Sequence, residues 1–136
     1  MPLPTPILRL MAYTGLNARV RLGPEDRACL EFATRLRVAT IEGRLRAVWT
    51  HPANELATKG VAAAIARALG LITGSPDYWF VWADGGGVIE FKSATGSLTP
   101  NQRDFREWSR DRNVRWALCR TADEGEAVLR EWGALV

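Results

Sequence analysis

Two short apolar runs, "YWFVWA" at 78–83 and "VIEFKS" at 88–93, flank Gly85-Gly86-Gly87. Alternating apolar runs around glycines predict a β-hairpin that turns across the three glycines. Side chains alternate along a strand, so Val88, Glu90 and Lys92 share one face while Ile89 and Phe91 share the other. A glutamate and a lysine on one face of a central strand are costly to desolvate unless the protein uses them. The same pair on the wet face of an antiparallel sheet is ordinary. The hairpin leaves both readings open.

Asp77 stands before the first run, behind Gly74-Ser75-Pro76. A hairpin closed on the triple glycine puts Val81 opposite Glu90 and Asp77 near Ala94, which places Asp77 about 13 Å along the sheet from Glu90. On that register the two carboxylates share a site only if the chain bends back at Ser75-Pro76-Asp77, a bend that proline favours.

The remaining elements follow from caps and periodicity. "GPEDRACLEFATRLRVAT" opens a helix with Gly23 as N-cap, Pro24 at N1 and Glu25 and Asp26 in its first turn. Its apolar stripe is Cys29, Phe32, Ala33 and Leu36. Residues 45–51 alternate as a strand, 57–70 form an alanine-rich helix, and 114–120 form another strand. "LTPNQRDFREWSRDR" starts a helix with Thr99 as N-cap, Pro100 at N1 and Gln102 at N3. A last helix covers 122–133. The order α-β-α-β-β-α-β-α predicts an α/β fold with a mixed central sheet of about four strands flanked by helices. Residues 1–22, with three prolines in the first six, read as an N-terminal arm to a domain at 23–136.

At 136 residues the chain is one domain with room for a core. No apolar run reaches the ~20 residues of a membrane span, and "MPLPTPILRLMAY" lacks the basic start and apolar stretch of a signal peptide. Cys29 and Cys119 have no metal-type spacing and read as reduced core thiols, which fits a cytoplasmic protein. The net charge of +3 permits a polyanionic partner without requiring one. Sixteen of the eighteen basic residues are arginine, and one of the two lysines is Lys92. Its placement there is either chance or the mark of a site that asks for a compact ammonium rather than a guanidinium fork.

"GSPD", twelve residues, "EFK" and then "GSLTPNQ" resemble the VRR-NUC branch of the PD-(D/E)XK nucleases. The resemblance rests on Gly74, Pro76, Asp77, Glu90, Lys92, Gly96, Leu98, Thr99, Pro100 and Gln102, in order. It extends over roughly 25–133, and "HPAN" with Glu55 is similar to a His-x-x-Asn segment upstream of the family motif. It implies a restriction-endonuclease-like fold and a DNA endonuclease dependent on Mg²⁺ or Mn²⁺. Asp77, Glu90 and the main-chain carbonyl of Phe91 would hold the metal, Lys92 would be the catalytic lysine, and Gln102 would face the site. A glutamate of the first helix completes such a set; Glu31 is the expected one and Glu25 the second choice. The resemblance further implies a homodimer acting on branched DNA of the Holliday-junction kind. Rival functions are a non-catalytic interaction module on the same fold and a restriction-like duplex endonuclease.

Each residue also has a plainer role. Gln102 at N3 completes a capping box with Thr99. Glu31 pairs with Arg35 four residues on. His51 precedes Pro52 at a strand end, where it serves structure or contacts DNA together with Asn54. Arg103 and Arg106 are expected either on DNA phosphates or in solvent. The six tryptophans are expected mostly in the core.

Overall fold

The computed structural model describes residues 4–11, 20–52 and 59–136. Among these residues five helices and four strands follow in the order α1 (Thr5–Met11), α2 (Pro24–Ile41), β1 (Val48–Thr50), α3 (Gly60–Ala68), β2 (Tyr78–Trp82), β3 (Gly85–Phe91), α4 (Pro100–Asp111), β4 (Arg115–Cys119) and α5 (Ala122–Glu131). Within the stretch expected as an arm, α1 lies against α2. The sheet order is β1-β2-β3-β4. The first three strands are antiparallel and β4 runs parallel to β3, so the sheet is mixed, with α4 as the crossover.

The caps form where the residues dictate. Pro24 sits in the first turn of α2 with Glu25 and Asp26. Thr99 and Gln102 close a full capping box on α4, and Thr121 and Glu124 do the same for α5.

One sheet face carries the main core. Phe32 of α2 meets Tyr78 edge-on at 5.1 Å and lies 5.0 Å from Phe91, with Leu36, Phe80, Ile89 and Leu129 buried around them. The Tyr78 hydroxyl donates to the Cys29 carbonyl at 3.0 Å, fixing β2 to α2. Gly125 lets α5 close on this core, because a Cβ there would lie 2.5 Å from the Phe32 ring. Helix α4 covers the other face, where Phe105 packs on Trp79 at 6.1 Å.

The hairpin register differs from expectation. Trp82 pairs with Gly85 and Tyr78 with Ile89, so the turn is Ala83-Asp84 and the three glycines lie inside β3. Packing explains why they are glycines. A Cβ on Gly87 would lie 2.5 Å from the Trp132 ring, and one on Gly85 would lie 2.9 Å from Trp82 and Arg115. Trp132 stacks on Trp82 across this bare stretch, with centroids 6.4 Å apart and planes 24° apart.

None of the six tryptophans is fully buried, contrary to expectation. Trp49, Trp82 and Trp132 pack on the edge of the core, while Trp79 and Trp108 are exposed. Phenylalanine and small residues fill the thin space between sheet and helices, and the larger indoles are left at its margins.

Candidate metal centre

Continuing the register one step beyond Tyr78↔Ile89 sets Asp77 opposite Glu90. The expected 13 Å separation does not arise, and no fold-back is needed. Asp77 is held from both ends. Its Oδ2 accepts the Phe91 N–H at 2.7 Å, and its carbonyl accepts a hydrogen bond from Nδ1 of His51. A carbonyl only accepts, so the proton of this imidazole sits on Nδ1. His51 therefore positions Asp77, with its ring 4.9 Å from Tyr78. A strand residue's N–H and C=O point to the same edge, so the Phe91 carbonyl also faces the Asp77 side.

Glu90 lies on the central strand β3 and is 2% exposed. Its Oε1 accepts from Nε2 of Gln102 at 2.7 Å. Its Oε2 is buried with no hydrogen-bond partner among the described residues. Burial, then the Asp77 carboxylate, pushes the Glu90 pKa up to about 9, and the charge of half-buried Lys92 acts against that rise. The site is thus short of positive charge.

Gln102 fills both roles the sequence left open. Its carbonyl accepts the Thr99 N–H at 2.9 Å while its NH₂ donates to Glu90. Glutamate caps equally well but cannot make that donation, so the second bond requires glutamine.

The helix carboxylate at the site is Glu25. One carboxylate oxygen each from Glu25, Asp77 and Glu90 lies within 4.8 Å of the others. Glu31 is not brought there. It is exposed and pairs with Arg35 at 2.6 Å, and Arg35 also reaches Asp123 of α5. The two glutamates are six residues apart, roughly 9 Å along the axis and about 240° around it, so they cannot serve one point. The available sequence cue was Glu25's place in the first turn, beside Pro24, where α2 begins at the end of the sheet.

The remaining expected residues divide. Asn54 and Glu55 lie outside the described residues. Arg103 donates to the Leu98 carbonyl at 2.8 Å and braces the entry to α4. Arg106 pairs with Glu107 and sits 5.9 Å over the Trp116 ring. Arg120, which sequence reasoning missed, donates to the Ser93 and Gly96 carbonyls and clamps the loop after Lys92. No motif marked it; its place one residue past Cys119, the partner of Phe91, sets it beside that loop. Both cysteines are free thiols. Burial pushes Cys119 up to about 12, and burial with the nearby Asp77 and Glu25 carboxylates raises Cys29 further, so neither supplies a thiolate nucleophile.

Three convergent carboxylates and an unpartnered buried oxygen suit a hard divalent cation. Manganese titration calorimetry is the check. Glu25→Gln is expected to weaken binding about 10-fold or more by removing a ligand charge. Glu31→Gln is expected to leave it unchanged and to cost only ~0.3–0.5 kcal/mol of stability.

No helix among the described residues is long and apolar enough to cross a membrane. No family model, curated protein or solved structure matches the chain.

Proposed function

We propose that this chain is a metal-dependent DNA endonuclease of the PD-(D/E)XK type, with the restriction-endonuclease-like fold and the VRR-NUC affinity that its motifs suggest. The observation that carries the reading is the buried, unpartnered Oε2 of Glu90 inside a three-carboxylate cluster beside Lys92. Asp77, Glu90 and Glu25, with the Phe91 carbonyl, would hold Mg²⁺ or Mn²⁺. Such an ion supplies a water of lowered pKa and neutralises charge on a phosphodiester.

The chain's own residues do the rest. Gln102 fixes the orientation of Glu90 through Oε1 and leaves Oε2 for the ligand. The Phe91 N–H and His51 fix the carboxylate and the carbonyl of Asp77. Lys92, one residue past the end of β3 and near enough for its charge to act on Glu90, offers an ammonium to orient the attacking water or to stabilise negative charge on the phosphorus oxygens. Its short reach as a point charge separates it from the sixteen arginines. Branched DNA is the proposed substrate, and a twofold pair of chains would place one such site on each of two strands.

The test is cleavage of four-way junction, flap and duplex DNA with Mg²⁺ or Mn²⁺ against an EDTA control. Metal-dependent cutting of the junction is expected, with Asp77→Asn and Lys92→Arg each slowing it about 10²-fold or more. Discrete products from unbranched duplex would indicate the restriction-like activity instead. An inactive wild type under both metals would sink the nuclease reading and leave a non-catalytic module.

A further inference from the structure

Trp79 and Trp108 are 37% and 45% exposed, whereas Trp49, Trp82 and Trp132 pack against the core. They meet through Phe105, which lies 6.1 Å from Trp79 and 5.4 Å from Trp108, edge-to-face in both pairs. The three rings line two clefts, one of about 160 Å³ and one of about 350 Å³. The smaller is completed by Val88, Ser109 and Arg112, with the Arg112 guanidinium 5.7 Å over the Trp108 ring.

We infer that this aromatic wall is a stacking platform for an unpaired nucleobase of the DNA strand held at the carboxylate site. The inference rests on the nuclease reading for the identity of the strand. Four observations favour this occupant. Trp79 lies in β2 two residues after Asp77, which directly precedes that strand, or about 7 Å away; at ~3.4 Å per nucleotide a base held there belongs within about two positions of the reacting phosphate. The smaller cleft falls below the ~300 Å³ at which pockets for drug-sized ligands begin, which suits one flat ring better than a peptide. Its polar groups are already engaged: Trp79 Nε1 donates to the Pro76 carbonyl and Ser109 Oγ to the Phe105 carbonyl. The rest of the lining is aromatic ring surface, the Val88 and Val114 side chains and one guanidinium, which is the chemistry of stacking and phosphate attraction without base-edge readout. The platform therefore selects unpaired DNA over duplex and is indifferent to sequence.

The test is fluorescence anisotropy of the full-length protein with a labelled oligothymidylate in EDTA, so that no cleavage is needed. Wild type is expected to bind it more tightly than an abasic strand of equal length. Trp108→Ala should lose about 5- to 150-fold, the span of one stacked base, and should no longer distinguish the two strands. Trp108→Phe should recover part of the loss. Should the alanine variant unfold, Trp108→Leu, which keeps apolar cover without a π face, takes its place. Equal affinity of wild type for both strands would overturn the inference. So would a Trp108→Ala protein that turns from dimer to monomer on sedimentation with strand discrimination intact, which would assign the wall to a second copy. Cleavage is measured separately. A nuclease without strand discrimination leaves the proposed function standing and removes the platform; discrimination without cleavage does the reverse.

Discussion

Glu90→Gln is expected to abolish metal-dependent cleavage and at the same time to stabilise the metal-free protein. The loss of rate, about 10²-fold or more, follows from removing charge at the group nearest the proposed chemistry. The gain in stability follows from proton linkage. In the folded chain Glu90 titrates near 9 against a reference of 4.5, because burial first and Asp77 second penalise its charge. Between those two values the folded state holds a proton that the unfolded state has released. Stability therefore falls as pH rises through this window, by up to about 1.4 kcal/mol per pH unit. It is unaffected below the lower value, where both states are protonated. Glutamine is neutral throughout and keeps the acceptor that Gln102 uses. Thermal melts in EDTA should show the variant several degrees above wild type near pH 8, with the gap closing by about pH 5. Added Mn²⁺ should then raise the melting temperature of wild type and leave that of the variant unmoved. A variant less stable than wild type at every pH would mean that the buried charge is not the liability described.

The four-stranded mixed sheet with flanking helices was legible because local and global preferences agree at most elements. Pro24 and Thr99 with Pro100 mark helix starts that no tertiary contact moves. The hairpin register was not legible, for a physical reason. Three consecutive glycines are a strong local turn signal, but Gly85 and Gly87 are small to admit Trp82, Trp132 and Arg115 side chains, two of them from elements distant in sequence, and a Cβ on Gly86 would lie 3.1 Å from the Phe80 carbonyl oxygen. Ala83-Asp84 carries a weaker turn signature, so local chemistry favoured the wrong pair. That shift of four in the sum of paired positions separates an Asp77 remote from Glu90 from one directly opposite it. The choice between Glu25 and Glu31 failed similarly. Helix periodicity gives which residues share a face, but which end of α2 reaches the edge of the sheet is set by Phe32 docking between Tyr78 and Phe91. Gln102 was legible as a cap, and the structure has it capping Thr99 and bonded to Glu90 at once.

Gly74→Ala is expected to be the most damaging glycine-to-alanine change among the described residues. Gly74 has φ +92°, in the region where an L side chain is strained, and its Cβ would lie 2.5 Å from the carbonyl carbon and oxygen of Asn101 and 2.8 Å from the Gln102 nitrogen. Those atoms are helix backbone in the first turn of α4. They cannot rotate aside, so either the Gly74–Asp77 segment or the helix start must move. Both carry site residues: Asp77 on one side, Gln102 on the other. Strain alone costs about 1–2 kcal/mol, and the backbone clash should bring the total to roughly 3 kcal/mol or more. Gly43→Ala isolates the first contribution, since Gly43 has φ +73° and open space around its Cβ position. Chemical denaturation of both variants reads the difference directly. Gly43→Ala should lose stability and keep full metal affinity. Gly74→Ala should lose more stability and, under conditions where it remains folded, bind Mn²⁺ more weakly, because the Asp77 and Gln102 supports of the carboxylate cluster no longer fit together. Equal losses in the two variants would mean that the contact between the Gly74 loop and α4 does not set the geometry of the site.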